Sequence, residues 1–328
     1  MKFIFATDFH ITGSAPSSRT DDYLRAIFNK IEELFSVAKK ENVDFILLGG
    51  DLFETYNVST SVIRNTLEWF KNREIPILSI LGNHDLHGHT METFYRSAMS
   101  ILDISDFVKI IDIDKQRSLR GFHYYNGLEE DLDIDNEPSE KMKEILEGEE
   151  MVWVVHGMIS DLNLPHISRN ILINKVRVGK NTKLVLSGDY HAGFPITIRT
   201  DGVIFANPGS LSRTSLAKEN INRDIQIVLV EYDPQDVSSS IDIKYISLES
   251  ALPSDKIFNL AEHEEIKERE AETFSYIEKL KNLEIEGGIQ NLEEELRTYA
   301  KNVELEQEVL EEIFQRLQSR QVKKEIDS

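Results

Sequence analysis

The sequence predicts a layered α/β fold, because short apolar runs alternate with amphipathic stretches through most of the 328-residue chain. Short apolar runs bounded by Gly and Asp are typical of strands that are buried on both faces. Apolar residues that recur every three or four positions indicate helices that bury one face. Alternation of the two patterns favours sheets covered by helices.

Each element is predicted from its own pattern. Five early runs are predicted strands: Lys2–Thr7, Asp44–Leu48, Ile75–Leu81, Val152–Val155 and Lys183–Leu186. The predicted helices between them cover Tyr23–Lys40, Ser59–Lys71 and about Glu92–Leu102. Three later runs are predicted strands that pair in a second sheet: Val203–Phe205, Ile225–Glu231 and Ile241–Ile246.

The character of the sequence changes near residue 250, where a more acidic stretch with helical spacing begins. We therefore predict one domain over 1–249 and a mainly helical C-terminal region over 250–328. Its apolar residues include Leu310, Ile313, Phe314 and Leu317, and Gly287-Gly288 indicates a helix break. Such stripes either pack back on the domain or dock on a partner helix, and the sequence leaves both readings open.

Composition excludes several classes of protein. The chain has no cysteine, so any metal must bind through oxygen and imidazole ligands. No apolar run approaches the roughly 18 residues of a membrane span, and we expect a cytoplasmic protein without membrane contact. The net charge of −21 disfavours sequence-independent binding of nucleic acid by this chain alone, because such binding depends on clustered Lys and Arg.

Polar residues follow five of the predicted strands at the point where each strand ends. In an open α/β sheet, ligands bind outside the carboxyl ends of the strands, so we expect these side chains to converge. Asp8 and His10 are two positions apart, and extended backbone would point both side chains the same way, as it would for Asp189 and His191. The full set is Asp8, His10, Asp51, Asn83, His84, Asp85, His156, Asp189 and His191.

This set of residue types suits two hard or borderline divalent cations, such as manganese. Two cations about 3.5–4 Å apart can clamp the attacking and leaving oxygens of a phosphate ester. One carboxylate must then bridge them, and Asp51 is the natural candidate. Each motif alone has a plainer explanation as a turn or a structural histidine, but their shared position at strand ends predicts a metal site.

On these residues the chain resembles the calcineurin-like metallophosphoesterases, whose pattern is D-x-H, GD, GNH followed by D or E, a later H, and GH-x-H. The resemblance covers about residues 1–235. Within that superfamily the chain is most similar to the SbcD-type nuclease subunits of double-strand-break repair. The stretches that carry this similarity are DFILLGGDLFE, LGNHDLH and FANPGSLSR.

The resemblance implies a two-layer β sandwich flanked by helices, two Mn²⁺ ions, and hydrolysis of phosphodiester bonds in DNA during end processing, recombination and repair. It also implies a homodimer that works with an SbcC-type coiled-coil ATPase, bound through the C-terminal region. Such a partner could bind the DNA itself, so the acidic charge of this chain would not prevent action on DNA.

The resemblance also assigns roles to individual residues. Asp8, His10, Asp51 and His191 would hold the first metal, and Asp51, Asn83, His156 and Asp189 the second. His84 would donate a proton to the leaving oxygen, with Asp85 orienting its ring.

Two positions depart from the family pattern. Position 189 is usually His in the family, and Glu54 stands where many of these nucleases have a His that aids exonuclease action. The balance between exonuclease and endonuclease action therefore stays open. Two other functions stay open as well: a phosphatase or cyclic-nucleotide phosphodiesterase on the same site, and a regulatory subunit with a weakened metal site.

Overall fold

Two six-stranded sheets form the centre of the part of the chain that the computed structural model describes, which is residues 1–71, 73–164 and 169–260. The strands are β1 (Lys2–Ala6), β2 (Phe45–Leu48), β3 (Ile77–Ser79), β4 (Lys109–Ile110), β5 (Ile113–Asp114), β6 (Leu119–Phe122), β7 (Val152–His156), β8 (Ile159–Ser160), β9 (Ile171–Leu172), β10 (Leu184–Gly188), β11 (Phe194–Ile198), β12 (Ile204–Asn207), β13 (Gln226–Glu231) and β14 (Asp242–Ser247).

The helices lie between these strands or follow them. They are α1 (Tyr23–Lys40), α2 (Thr60–Phe70), α3 (Ala98–Ile104), α4 (Leu128–Leu132), α5 (Glu140–Leu146), α6 (Lys218–Ile221) and α7 (Ser254–Ile257), with 3₁₀ turns at His87–His89, Met91–Arg96 and Ile173–Lys175.

The two sheets have similar topology. The first has the order β14-β13-β1-β2-β3-β4, and β1 to β4 are parallel. The second has the order β11-β12-β10-β7-β6-β5, with β6, β7, β10 and β12 parallel. The short strands β8 and β9 pair separately. Parallel strands of one sheet end at the same edge, which places their following loops side by side.

Alternating residues of β1 show how the layers are arranged. Ile4 and Ala6 pack in one cluster with α1 and α2, while Phe3 and Phe5 pack between the sheets against β7 and β10. On the outer face of the second sheet, Trp153 packs with α4 and α5. Burying each large apolar side chain stabilises the fold by roughly 1.5–3 kcal/mol. The predicted two-layer sandwich flanked by helices is confirmed.

The prediction for the last strands is wrong in one respect. β12 belongs to the second sheet, but β13 and β14 extend the first sheet, where β13 pairs antiparallel with β1. The physical reason is burial of both faces of β13. Its Ile227 and Leu229 pack on the helix side of the sheet, and Val228 and Val230 pack between the sheets.

The helices lie close to where the spacing of apolar residues predicts them. α1 has the predicted bounds, and the Asp22 side chain accepts a hydrogen bond from the backbone N–H of Arg25 at its first turn. The predicted helix near Glu92–Leu102 is two pieces, a 3₁₀ turn and α3. They are separated at Ser97, whose extended backbone and side chain cap the start of α3.

The predicted domain boundary at 249/250 stays a prediction, because the apolar stripes of the C-terminal region lie outside the described residues. Residues 250–259, which lie past this boundary, belong to the same compact unit as the sandwich domain. Phe258 is buried, pairs with Arg19 through an isolated bridge, and lies under its guanidinium at 5.5 Å. Among the described helices, none is long and apolar enough to cross a bilayer.

Candidate metal centre

The loops that follow β1, β2, β3, β7 and β10 meet at one edge of the sandwich, so the predicted residues of both sheets come together. The backbone N–H of Asp8 donates to the carbonyl of Gly50 at 3.1 Å, and His156 Nδ1 lies 2.7 Å from the carbonyl of Gly49. Packing here leaves no room for side chains at some positions. A Cβ on Gly82 would lie 2.0 Å from Asp51 Oδ1.

Four of the predicted ligands have left-handed backbone, and for Asp8, His10 and Asp189 this corrects the expectation of extended backbone. Their φ angles are 55° at Asp8, 50° at His10, 50° at Asp51 and 73° at Asp189. Residues other than Gly rarely adopt this backbone conformation, which costs roughly 1–3 kcal/mol per residue. These four are half of the eight non-glycine residues with positive φ in the described chain. The strain is concentrated at the candidate site.

Asp8, His10 and His191 form the first group of candidate ligands, with one donor atom from each lying within 4.8 Å of the others. The Nε2 atoms of His10 and His191 are 3.0 Å apart, and His191 Nε2 is 3.4 Å from Asp8 Oδ1. Asp8 and His10 are almost fully buried. Two imidazoles and a carboxylate that point at one place suit a borderline divalent cation.

His156 and Asp51 form the second group together with Asp8. His156 Nε2 lies 3.3 Å from Asp51 Oδ2 and 3.1 Å from Asn83 Oδ1. Because His156 Nδ1 faces the Gly49 carbonyl, Nδ1 carries the ring proton as a donor and Nε2 is left to bind a cation.

Asp51 belongs to two of the three close groups found among the described residues, because it also forms a third group with His10 and His84. Its Oδ2 is 3.3 Å from His156 Nε2 and 4.0 Å from His10 Nε2, while its Oδ1 accepts the backbone N–H of His84 at 2.9 Å. This is the position that a bridging carboxylate would need. The bridging role itself stays a prediction.

Asp189 is near this centre but in none of the three close groups of candidate ligands found among the described residues. Its backbone N–H donates to both carboxylate oxygens of Asp8 at 3.2 Å. Its own Oδ2 is buried without a hydrogen-bond partner in the described chain, and burial raises the pKa of this carboxyl. A buried, unpaired oxygen is costly, and a cation would satisfy it. The donor set therefore fits a second cation, with Asp189 as a predicted ligand.

His84 and Asp85 are placed differently from the prediction. His84 Nδ1 lies 2.5 Å from the backbone carbonyl oxygen of Glu54, so that carbonyl, and not Asp85, orients the ring. The buried Asp85 carboxylate instead accepts backbone N–H groups of Asp51 at 2.8 Å and Gly82 at 3.0 Å. Burial, followed by the charge of Asp51, raises the pKa of Asp85 to about 7. Asp85 thus organises the backbone of the loop.

Carboxylates dominate the electrostatics of the centre. Burial alone would raise the pKa of Asp8, but the hydrogen bond and charge of His191 and the nearby His156 and His10 outweigh it and lower that pKa. Burial likewise opposes a charge on His156, yet Asp51 and Asp8 hold its pKa well above the usual value. The cluster therefore attracts positive charge, which a proton or a metal cation can supply.

Two residues, Glu54 and Ser210, contact the candidate ligands in ways that were not predicted from the sequence. Glu54 Oε2 lies 2.9 Å from His10 Nδ1. The Ser210 hydroxyl donates to the Asp8 carbonyl at 2.7 Å, and its backbone N–H donates to the His191 carbonyl at 3.0 Å. The FANPGSLSR stretch signalled that Ser210 belongs to a recognisable motif, but no local pattern shows which atoms it contacts.

A β sandwich flanked by helices, with carboxylates and imidazoles that could bind metal at the strand ends, is typical of a metallophosphoesterase-type hydrolase. Residues 1–193 match the calcineurin-like phosphoesterase family, and the chain belongs to this family. The predicted superfamily is thereby confirmed.

Two similar curated proteins are both called DNA double-strand break repair protein Mre11. The one from Saccharolobus solfataricus is 31% identical over 102 residues, which is 30% of this chain and 26% of that protein. The one from Archaeoglobus fulgidus is 25% identical over 237 residues, or 66% of this chain and 51% of that protein. The chain thus matches about a quarter and about half of the length of these relatives.

Solved structures with a similar arrangement are more distant in sequence. A dimetal phosphatase from Danio rerio is 10% identical, with a TM-score of 0.45, over 75% of this chain and 96% of that one. A protein of Thermus thermophilus is also 10% identical, with a TM-score of 0.40, over 75% and 98% of the two chains.

We expect Asp51→Asn to lose most of the binding of both cations, because it removes a charge from between the two groups of ligands. Titration calorimetry of the metal-free protein with Mn²⁺ measures this. Asp112→Asn is a matched control, because Asp112 pairs with His123 at 3.2 Å outside the centre and should leave both binding events intact. Unchanged two-site binding in Asp51→Asn would contradict the bridging assignment.

We expect Asp189→Ala to abolish binding of the second cation and Asp189→His to keep activity within a modest factor. The reason is that alanine offers no ligand atom, whereas histidine restores the ligand type usual in the family. Calorimetry and a phosphodiesterase assay measure the two outcomes, with thermal unfolding as the fold control because the φ of 73° disfavours alanine. If Asp189→Ala keeps both cations and full turnover, Asp189 is not a ligand.

Proposed function

We propose that this chain is a manganese-dependent DNA nuclease subunit that hydrolyses phosphodiester bonds by a two-metal mechanism. The observation that carries the proposal is the position of Asp51, whose Oδ2 lies 4.0 Å from His10 in one group of ligands and 3.3 Å from His156 in the other. Asp51 is shared by the group with His10 and His84 and the group with Asp8 and His156, and a shared carboxylate is what a pair of adjacent cations requires.

In this mechanism the residues have three roles: binding the first cation, binding the second cation, and proton transfer. Asp8, His10, Asp51 and His191 would hold one cation, and Asp51, Asn83, His156 and Asp189 the other. When bound, the two cations supply activation of the attacking water and neutralisation of charge on the scissile phosphate.

His84 has the proton-transfer task. Its Nδ1 donates to the Glu54 carbonyl, so Nε2, on the opposite side of the ring, gives a proton to the leaving oxygen from the doubly protonated imidazolium form, and the ring is left neutral with its proton on Nδ1. Asp85 contributes by holding the backbone of Asp51 and Gly82, which fixes the loop that carries His84.

DNA is the proposed substrate class because the matched relatives are named as DNA double-strand break repair proteins, although they match this chain over only 30% and 66% of its length. The net charge of −21 weakens independent DNA binding. We therefore propose that an SbcC-type coiled-coil ATPase binds the C-terminal region and contributes much of the affinity of the complex for DNA. The complex would contain a homodimer of this chain and act in end processing, recombination and repair in the cytoplasm.

We expect His84→Gln to keep both cations and to slow DNA cleavage at saturating substrate by about 10²–10⁴-fold, the usual contribution of a positioned proton donor. The measurement is cleavage of a labelled duplex with Mn²⁺, with and without the co-expressed ATPase, alongside calorimetry of metal binding. His87→Gln is the control, because it makes the same change in the same loop and its ring packs on Tyr56 at 4.8 Å.

The same assay separates the alternatives. Full turnover in His84→Gln, or loss of both cations, would remove the proton-donor role. Fast hydrolysis of small phosphate esters without any cleavage of DNA, with or without the ATPase, would support a phosphatase or cyclic-nucleotide phosphodiesterase. A wild-type chain that binds cations only weakly would support a regulatory subunit.

Removal of residues 285–328 should separate catalysis from partner binding. We expect the shortened chain to stay folded, bind Mn²⁺ and hydrolyse a chromogenic phosphodiester, because the centre lies wholly within the sandwich domain. It should no longer co-purify with the ATPase or show ATP-stimulated cleavage of duplex DNA. An insoluble or metal-free product would show that this segment is part of the core, and the docking proposal would fail.

A further inference from the structure

Glu54 contacts two histidines of the candidate centre through two different atoms. Its carboxylate Oε2 lies 2.9 Å from His10 Nδ1, and its backbone carbonyl oxygen lies 2.5 Å from His84 Nδ1. The two rings are perpendicular, with centroids 4.9 Å apart. One residue therefore holds a predicted metal ligand and the predicted proton donor side by side.

We infer that Glu54 is a positioning residue whose carboxylate fixes the ring of His10 with the proton on Nδ1, so that Nε2 faces the first cation, while its carbonyl fixes the ring of His84. The inference rests on the proposed metal centre. It gives a role to the position where the chain departs from the related nucleases.

The tautomer of His10 follows from the chemistry of its two nitrogens. His10 Nδ1 is buried without an aligned hydrogen bond in the described chain, and Glu54 Oε2 lies beside it at 2.9 Å. Because a carboxylate can only accept, this contact is favourable only when Nδ1 carries the proton. In the neutral ring the other nitrogen, Nε2, then has a free lone pair. That atom lies 3.0 Å from His191 Nε2, 3.9 Å from Asp8 Oδ1 and 4.0 Å from Asp51 Oδ2. A carboxylate behind a ligating imidazole fixes its orientation and raises its basicity.

The backbone places Glu54 where it can do this. His10 N–H donates to the Asp51 carbonyl at 3.1 Å, Ile11 N–H to the Leu52 carbonyl at 2.9 Å, and Glu54 N–H back to the Ile11 carbonyl at 3.1 Å. The segments that carry the two residues thus lie side by side. Leu52 and Phe53, between Asp51 and Glu54, are fully buried, and their packing fixes the position of this segment along the segment of His10.

The two contacts can be separated by mutation. The contact with His84 uses the backbone carbonyl and persists in any Glu54 variant that keeps the local fold. The contact with His10 uses the side chain alone. Substitution of Glu54 should therefore alter the first cation site and leave the second site, formed around His156, unchanged.

The chain offers a matched control. Asp112 lies 3.2 Å from His123 Nε2, and His123 Nδ1 accepts the backbone N–H of Leu81 at 3.0 Å. This is a second carboxylate–histidine pair, and neither residue is a predicted ligand. Asp112→Ala removes the same kind of contact and the same charge without touching the centre.

The first measurement is the tautomer of His10 in the metal-free protein, read by ¹⁵N-correlated NMR of the histidine rings at a pH where they are neutral. We expect the wild type to carry the proton on Nδ1, Glu54→Ala to lose that preference, and Glu54→Gln to keep it, because the amide oxygen can still accept. An Nδ1-protonated ring in Glu54→Ala, or a Gln variant that behaves like Ala, would overturn the inference.

The second measurement is Mn²⁺ binding by calorimetry to the metal-free full chain. We expect Glu54→Ala to weaken the first site by about 10–100-fold, as is usual when the partner of a ligating histidine is removed, with a smaller loss in Glu54→Gln. The second site and the Asp112→Ala control should match the wild type. Wild-type affinity at the first site of Glu54→Ala would overturn the inference. If that variant does not fold, the isosteric Gln variant decides, and wild-type affinity there would also count against it.

Neither measurement uses DNA. A wild type that binds two Mn²⁺ ions but does not cleave DNA would refute the proposed function and leave this inference standing. A wild type that cleaves DNA, with Glu54→Ala indistinguishable from it in tautomer and affinity, would refute only the inference.

Discussion

The structure depends on two buried carboxylates at the edge where the sheets meet. Asp8 is fully buried and Asp51 is 1% exposed, so water cannot solvate their charges. A buried, unpaired charge would cost several kcal/mol, and such groups persist only when other groups compensate them. Here the compensation comes from backbone N–H groups of His84 and Asp189 and from the imidazoles of His10, His156 and His191. The same arrangement is ready to bind divalent cations.

The sandwich core makes this arrangement stable enough to tolerate strain. Phe3 and Phe5 of β1 pack between the sheets, and the next residues along that strand lead directly into Asp8. The left-handed backbone at the candidate ligands is unfavourable locally. Long-range hydrogen bonds hold it in place, among them the contacts of Ser210 with the carbonyls of Asp8 and His191.

The loop around Ser210 is held in turn by basic side chains that donate hydrogen bonds to its carbonyl groups. The Leu211 carbonyl accepts from Lys30 Nζ at 2.7 Å, the Ser210 and Ser212 carbonyls accept from Arg223 Nη2 at 2.6 Å, and the Arg213 carbonyl accepts from Arg19 Nη1 at 2.8 Å. Burial, with the neighbouring arginines, holds the pKa of Lys30 well below its usual value. These side chains occupy the carbonyl groups of the loop, while the backbone N–H groups of Ser210 and Leu211 donate to the carbonyls of His191 and Thr7, next to β10 and β1.

The sequence by itself determined the elements whose signals are local. Apolar periodicity was enough for α1 and for the strands that precede the centre, and residue type at the strand ends was enough to select Asp8, His10, Asp51, Asn83 and His156 as one set of candidates. Strands that are buried on both faces require apolar runs, which can be recognised in a short stretch of sequence. A metal site without cysteine requires carboxylates, amides and imidazoles, and these residue types can be recognised in the same way. The sequence also identified Glu54 as a departure from the family pattern, but not what it contacts.

The tertiary structure decided everything that depends on residues far apart in the chain. It placed β13 beside β1, because only a central position buries both faces of β13. It gave the ring of His84 the carbonyl of Glu54 as a partner and turned Asp85 toward the backbone of Asp51, 34 residues away. It also set the left-handed backbone at Asp8 and His10, which no side-chain pattern indicates, because the strain is tolerated only where contacts between the two sheets over-determine the local conformation.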